Sequence, residues 1–332
     1  MNRRIKAFTI LMGVLAMESF AAGQSQGTYE GKESVQNPMT FTVGVLQGPS
    51  GFGIVKMIED LASLPQNVET VYQVIPSPAE MVARLASREL QAGLLPLNMA
   101  AKLYTKDAGY PLAAIPGRGA LYLLSRDDGL NNWTDLGGKS VYAVGKGATP
   151  DYLMHYFLAE KGIDEESITM NFSLPALQLA QMAIAGRVDT LLIPQPFVAL
   201  VQMKSPDMTI RLDFQETWME LRKSEQSYPI TAFVVDPQFA LERTHAFAEL
   251  LTSYQDSIAW VLNNQDEAAL LIEKHGIFAA GPAKAAIPNC GLEFTAAQYA
   301  REDVEAYLQV LLDSDPVSVG GSLPDENFYL AP

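Results

Sequence analysis

Two glycine-bearing loops, each ahead of an apolar helical run, carry groups suited to holding a small molecule. Gln47-Gly48-Pro49-Ser50 precedes one run, and Lys146-Gly147-Ala148-Thr149 precedes another 99 positions later. Both bring amide, hydroxyl and backbone N–H groups to a helix start. The first N–H groups of a helix lack intrahelical partners and carry partial positive charge. Such starts hold carboxylate, sulfonate or phosphate without a buried cation. Glycines at 48, 51, 145 and 147 let the backbone approach a ligand closely, although each taken singly also reads as a turn glycine. Pro96 to Met99 supplies a third helix start, with Asn98 in it. The candidate contacts are Gln47, Gly48, Ser50, Phe52, Asn98, Arg118, Gly147, Thr149, Gln195 and Tyr228. Phe52 can stack on a flat ligand or join the core. Arg118, within Pro116-Gly117-Arg118-Gly119, can clamp an anion or sit as a solvated turn residue. Gln195 and Tyr228 each offer a polar edge, with a plain turn or packing role as the alternative.

Bond-breaking chemistry has little support in these residues. The three histidines, His155, His245 and His275, lie within helical stretches or near their ends, away from the candidate loops. No pair has metal-ligand spacing, and no phosphate-binding P-loop is present. The single cysteine, Cys290, has no histidine nearby to activate it. Acidic clusters such as Asp164-Glu165-Glu166 and Arg301-Glu302-Asp303 read as solvated helix faces. No catalytic residue, metal ligand or cofactor is therefore expected. The candidate loops carry only Lys146 and Arg118 as charges. That favours a small neutral or singly anionic organic ligand over polyamines and metal ions.

The elements that must position these loops read as α/β. Alternating or apolar strands are expected at Thr40 to Leu46, Val68 to Ile75, Gly93 to Leu95, Pro111 to Ile115 and Gly119 to Leu124. Helices fall between them. Ser77-Pro78-Ala79-Glu80 has a capping residue, a proline suited to the first turn and a glutamate able to complete a capping box. A second set follows, with strands at Ser140 to Val144, Thr169 to Ser173 and Asp189 to Ile193. Thr149-Pro150-Asp151 is expected to cap a helix that stops at Gly162. Leu94-Leu95-Pro96 and Leu192-Ile193-Pro194 repeat 98 positions apart, close to the offset of the two glycine loops. One lobe pattern used twice explains both offsets. In open α/β sheets ligands bind outside the carboxyl ends of strands, so two such lobes facing each other enclose a cleft. Tyr228 to Val235 reads as a strand returning to the first lobe, and the chain beyond Asp236 reads as almost wholly helical. Crossings between lobes are expected near Leu124 and near Val235.

Asn2-Arg3-Arg4-Ile5-Lys6, the apolar run Ala7 to Met17 and Ser19-Phe20-Ala21-Ala22 have the layout of a cleaved secretory signal, too short to span a membrane. With Cys290 as the only cysteine, there is no lipid attachment near that site and no internal disulfide. The expected organisation is a signal peptide over 1–21, a flexible leader over 22–38, one lobe from 39–124 plus 236–332, and a second lobe over 125–235. The expected location is the periplasm of a double-membraned bacterium, without lipid anchoring. Net charge is −15, and residues 1–21 contribute three basic groups and one acidic group, so the exported chain is more acidic still. Such a surface repels nucleic acid and anionic membrane.

Asp135-Leu136-Gly137-Gly138-Lys139-Ser140-Val141, followed by Gly147-Ala148-Thr149-Pro150, resembles the nitrate/sulfonate/pyrimidine-type (NMT1/THI5-like) solute-binding proteins of bacterial ABC importers. Ala185-Gly186-Arg187-Val188-Asp189 followed by Pro194-Gln195-Pro196 carries the same resemblance, as does Pro96 to Tyr104. The likeness implies a type II periplasmic-binding-protein fold, two α/β lobes around a ligand cleft. It also implies a monomeric binder serving a separate permease and its ATPase. Gln195 stands where that family often has Glu, a departure that disfavours a cationic ligand. Two alternatives remain on the same fold. One is an exported sensory receptor. The other is a cofactor-precursor enzyme, whose pyrimidine-forming type needs a cysteine-rich stretch and an active-site histidine not found at matching places here.

Overall fold

The computed structural model describes residues 37–331. The expected signal peptide and nearly all of the expected leader lie outside the described residues.

The chain opens with β1 (Met39–Leu46), α1 (Val55–Asp60), β2 (Ser63–Leu64), β3 (Val68–Ile75), α2 (Pro78–Ala86), β4 (Ala92–Pro96), α3 (Leu97–Leu103) and β5 (Leu112–Arg118). It then builds β6 (Leu121–Ser125), β7 (Ser140–Ala143), α4 (Thr149–Glu160), β8 (Thr169–Asn171), α5 (Ala176–Ile184), β9 (Thr190–Pro194), α6 (Phe197–Lys204), β10 (Thr209–Asp213) and α7 (Phe214–Arg222). The last stretch is β11 (Pro229–Val235), α8 (Pro237–Glu242), α9 (Thr244–Asn263), α10 (Gln265–Lys274), α11 (Ala280–Ala286), β12 (Leu292–Ala296) and α12 (Ala297–Ser314).

These strands form two sheets, ordered β12-β5-β11-β4-β1-β3-β2 and β10-β6-β9-β7-β8. In the first, β1 runs parallel to β3 and β4, and β11 runs antiparallel to β4 and β5. In the second, β7 runs parallel to β8 and β9, and β6 runs antiparallel to β9 and β10. The order β3-β1-β4-β11-β5 therefore matches β8-β7-β9-β6-β10. The spacing echo has a structural basis, because the two glycine loops follow β1 and β7, while Pro96 and Pro194 end β4 and β9.

The crossings lie one strand earlier than Leu124 and Val235 suggest. Leu121 already pairs with Pro194 in the second sheet, and Pro229 already pairs with Arg118 in the first. Gly119 and Ala120 turn the chain, both left-handed, with φ of +61° and +72°. Apolar residues run through this turn without a break, so hydrophobic pattern alone does not mark it. Three further elements escape the pattern. β10 and α7 are half polar, and β12 interrupts a tail that otherwise reads as helix.

Local signals account for several boundaries. Ser77 accepts from the Glu80 N–H at 3.2 Å, as a helix cap should. Glu80 does not complete the box but pairs with Arg84 at 2.6 Å. Asp236 caps α8 through the Gln238 N–H at 2.9 Å. Gly162 ends α4 at φ +65°. Thr149 is not the cap of α4; that position belongs to Ala148, and the Thr149 hydroxyl turns away to another partner.

One apolar core lies between the first sheet and α8 and α9, where Phe41 packs tilted against Phe239 of α8 with ring centroids 4.0 Å apart. Another runs from β1 and α2 through α12 into the second lobe, reaching Trp133, Phe157 and Phe214. The two lobes are therefore packed along α12 and not joined by the crossings alone. Gly291, just before β12, holds φ +59° and accepts the Arg118 N–H at 2.9 Å. A Cβ there would lie 1.7 Å from the Arg118 carbonyl oxygen. Gly291→Ala is expected to lower stability by about 2 kcal/mol or more, through left-handed strain and forced displacement of β5. Urea denaturation that gives an unchanged midpoint would contradict this packing.

Candidate ligand-binding site

A cavity of about 310 Å³ opens between the two sheets. Its walls follow the carboxyl ends of the parallel strands. Pro49 and Ser50 come after β1, Pro78 after β3, and Asn98 and Met99 after β4. Ala148, Thr149 and Pro150 come after β7, and Pro194 ends β9. Pro96 of β4, Pro116 and Gly117 of β5, Gly119, Ala120, Leu121, Ile230 and Thr231 of β11, Cys290 and Leu292 complete the lining. Antiparallel β6 and β11 contribute their amino-terminal ends, which lie on the same side.

The polar equipment is sparse and uncharged. Ser50 Oγ and Thr231 Oγ1 lie 3.2 Å apart, across the end of the first sheet. Thr149 Oγ1 and the Tyr307 hydroxyl lie 2.7 Å apart, tying α4 to α12. The Asn98 amide reaches the Ser318 carbonyl oxygen at 3.5 Å, a weak contact. Six prolines line the cavity and offer no N–H, so hydroxyls and one amide must supply most donors. Among the described residues, no Asp, Glu, Lys, Arg or His lines it. Burial pushes the Cys290 thiol well above its ordinary range, so it stays protonated and unreactive.

Three of the expected contacts, Ser50, Asn98 and Thr149, come together on this wall. The others do not. Phe52 is fully buried beside Phe278, with ring centroids 6.3 Å apart, and presents no face to a ligand. Arg118 is 3 % exposed. Its Nε donates to Glu293 at 3.2 Å, its Nη1 donates to the Ser227 carbonyl at 3.0 Å, and Asp303 approaches Nη2 at 3.0 Å as an ion pair. The clamp expected for an anion is thus already filled. Gln195 is buried, and its side-chain oxygen accepts from the Ala199 N–H at 3.2 Å inside α6. Tyr228 is fully buried, stacks on Tyr307 and donates to Gln215 at 2.9 Å. Gln47 faces outward and donates to the Gly276 carbonyl at 3.3 Å. Gly48 is buried at φ +96°, turning the chain ahead of Pro49. Gly147 lines a neighbouring cavity instead.

Thr231, Ile230 and Leu292 were not among the expected contacts. Their strands form by pairing with distant partners, and only the return of the chain after residue 228 hints at their position. The α4 start also has fewer free donors than expected. The Gly147 N–H donates to Asp151 at 2.8 Å, the Asp151 N–H bonds back to Ala148, and Pro150 has none.

Among the described residues no group of histidine, cysteine and carboxylate side chains could hold a metal, and no helix is long and apolar enough to cross a membrane.

Residues 127–273 match the NMT1-like family. Asp135, within this NMT1-like stretch, completes a capping box with Asn132, and Lys139 pairs with Asp127, so Asp135 to Lys139 build a turn ahead of β7 outside the lining of this cavity. Gly186 in turn ends α5 at φ +70°. In structure, the chain is similar to an ABC transporter from Parabacteroides distasonis, with TM-score 0.77, 26 % identity and coverage of 88 % of this chain and 99 % of that one. It is also similar to the periplasmic aliphatic sulphonate binding protein SsuA of Escherichia coli, at TM-score 0.68 and 13 % identity, covering 87 % and 93 %. The periplasmic nitrate-binding protein NrtA of Synechocystis PCC 6803 follows the same fold at TM-score 0.60 and 14 % identity, covering 86 % and 85 %. No protein of curated function matches the sequence. The fold is that of two-lobed periplasmic binding proteins, with two α/β lobes around a cleft.

His155 supports the α4 end of this cleft. Its ring lies 3.0 Å from Asp151 and 2.8 Å from Glu165. The hydrogen bond to Asp151 leads in raising its pKa from 6.5 to about 9, against the opposing effect of burial. A group whose pKa rises on folding adds stability that is complete below its unfolded pKa and is lost as pH climbs through its folded pKa. Stability should therefore decline between about pH 6.5 and pH 9. His155→Gln should remove that decline, as read from thermal melts across the same range. An identical slope in the variant would detach His155 from it.

Proposed function

We propose that this chain is a solute-binding protein that captures a small organic molecule and delivers it to an ABC importer. The observation that carries the reading is the cavity of about 310 Å³, formed at matching strand ends of two sheets and lined without a charged side chain. Its size suits an organic molecule. Its hydroxyls and amide suit a polar edge, and its prolines and aliphatic side chains suit an apolar body. The ligand class is neutral or anionic: a sulfonate, a carboxylate or a pyrimidine-like heterocycle. Likeness to a sulphonate-binding and a nitrate-binding protein supports a place in import.

The partners on this reading are a permease and an ATPase on separate chains, with the binding protein acting as a monomer. The first lobe comprises the first sheet, α1 to α3 and α8 to α12. The second comprises β6 to α7. The segment 1–21 serves as a cleaved export signal, and the protein works in the periplasm without a lipid anchor. It performs no chemistry on its ligand. His155 is engaged by carboxylates, and Cys290 is buried and protonated.

Contacts across the cleft must part for a ligand to enter. Tyr152 donates to Asp315 at 2.8 Å, Tyr122 donates to the Asn289 carbonyl at 3.1 Å, and Phe197 meets Phe278 edge-on at 5.6 Å. Each hydrogen bond is worth about 1 kcal/mol net, so opening is within thermal reach.

Native mass spectrometry of protein from the periplasm should reveal a co-purifying compound. At 100 times its dissociation constant that compound should stabilise the protein by about 2.7 kcal/mol. Thr149→Val removes one cleft hydroxyl and is expected to weaken binding about fivefold, near 1 kcal/mol. Circular dichroism melts separate that loss from any loss of folding. A compound bound equally well by Thr149→Val and by Ser50→Ala would place the site elsewhere.

A further inference from the structure

Asp151 lies in the first turn of α4 with only 8 % of its surface exposed. A carboxylate buried that far needs partners, and each of its oxygens has one. Oδ2 accepts from the Gly147 N–H at 2.8 Å, and Oδ1 lies 3.0 Å from Nε2 of His155, one turn along the helix. The other ring nitrogen, Nδ1, lies 2.8 Å from Oε2 of Glu165. Both ring nitrogens therefore face carboxylate oxygens. A neutral imidazole has a single N–H and would turn a lone pair toward one of them; only the imidazolium donates to both. Among the described residues these two carboxylates are the charged groups acting on the ring, and the Lys146 ammonium acts on Asp151. Of the other elements against α4, α7 sends Glu220 to Lys161 at the far end of the helix, α12 meets Thr149 through the neutral Tyr307 hydroxyl, and Asp315 accepts from Tyr152.

This relay ends on a loop that is costly to order. Gly145 and Gly147 are both left-handed, at φ +73° and +69°, and glycine gives up more chain freedom on folding than any other residue. The Ala148 N–H closes the loop on the Gly145 carbonyl at 3.0 Å, and Asp151 holds the Gly147 N–H. The three residues that follow, Ala148, Thr149 and Pro150, are cleft wall.

We propose that His155 is a positioning residue for the cleft: as an imidazolium bridging Glu165 and Asp151, it keeps Asp151 on the Gly147 N–H and so fixes Ala148 and Thr149 where a ligand meets them. Its bearing on ligand capture rests on the cleft being the solute site; the loop's dependence on His155 does not. Burial pushes the Asp151 carboxyl upward, yet the hydrogen bonds from His155 and Gly147 bring it below its ordinary value. Once the imidazolium loses its proton, that buried charge has a weaker partner. Asp151 then gains by turning to water, which releases the Gly147 N–H. The loop is therefore held where His155 is charged and loosens as pH climbs through about 9.

NMR of the mature protein, labelled with 13C at alanine and threonine methyls and at histidine Cε1, reads ring and loop together without a ligand. The His155 ring is expected to titrate near pH 9, and the Ala148 and Thr149 methyls to shift with the same midpoint. Trypsin reads the hold on the loop, because Lys146 is exposed and precedes Gly147, and cleavage follows the population of the open form. Near neutral pH, cleavage after Lys146 should be about fivefold faster in His155→Gln, the ratio for one lost hydrogen bond. Cleavage after Lys223 is the reference for loosening elsewhere. The double variant Asp151→Asn with His155→Gln supplies uncharged amides able to repeat every donor and acceptor of the relay. It should return cleavage after Lys146 to the parent rate and leave the methyls without a transition near pH 9. A ring that titrates near pH 6.5, or methyls indifferent to the ring, overturns the assignment. So does cleavage after Lys146 that is unchanged in His155→Gln or rises only in step with Lys223, or a double variant cleaved as fast as the single one. The importer reading survives each of these results, since it stands or falls on the co-purifying compound.

Discussion

A buried guanidinium at the point where the chain changes sheets holds this architecture together. Arg118 ends β5, donates to the carbonyl of Ser227 at 3.0 Å, and pairs with Glu293 and Asp303. Its own backbone N–H donates to Gly291, and the next N–H, on Gly119, donates to Tyr228. Both crossings are thus laced to each other and to β12 and α12 at one place. A cation 3 % exposed costs much desolvation unless it is paired. Here the two carboxylates remain 41 % and 34 % exposed, so they keep part of their hydration while compensating the buried charge. The arrangement makes Arg118 structural, and this is why it cannot also clamp a ligand.

From that junction the rest of the site follows. The first sheet and the second share one strand order, so the carboxyl ends of their parallel strands converge on one side. Beside the junction, Tyr228 stacks on Tyr307, and Trp218 packs edge-on against both. Tyr307 then reaches Thr149 at the start of α4. The chain of contacts from crossing to cleft wall is short and aromatic, and its hydroxyls are pushed to high pKa by burial, so they act as fixed hydrogen-bonding groups. The Thr149–Tyr307 bond is one of several contacts between the two lobes, beside Tyr152–Asp315 and Tyr122–Asn289.

How much of this was legible in the sequence depends on range. Helix starts with a local cap, such as Ser77 and Asp236, were readable because donor and acceptor are two or three residues apart. The lobe pattern was readable because loops after β1 and β7 repeat at a fixed offset. Ser50, Asn98 and Thr149 were found by the same logic, since small polar residues just past strand ends point into the cleft. Phe52 and Tyr228 sit near those ends too, but their direction is set by core partners, Phe278 and Tyr307, remote in sequence. Arg118 has its carboxylate partner Glu293 175 positions away, a distance over which no local pattern gives warning. Thr231 and Leu292 were hidden for the same reason, because β11 and β12 enter the wall only through long-range pairing.

The division of the cleft wall also bears on how far family likeness reaches. The NMT1-like stretch, residues 127–273, supplies Ala148, Thr149, Pro150, Pro194, Ile230 and Thr231. Ser50, Asn98, Met99, Pro116 and Leu292 lie outside it. Within the stretch, the motif residues Asp135, Lys139 and Gly186 shape turns and helix ends. Likeness in that region therefore reports on scaffold, while α3 and the loop after β1 supply Asn98, Met99 and Ser50 to the cavity wall from outside it.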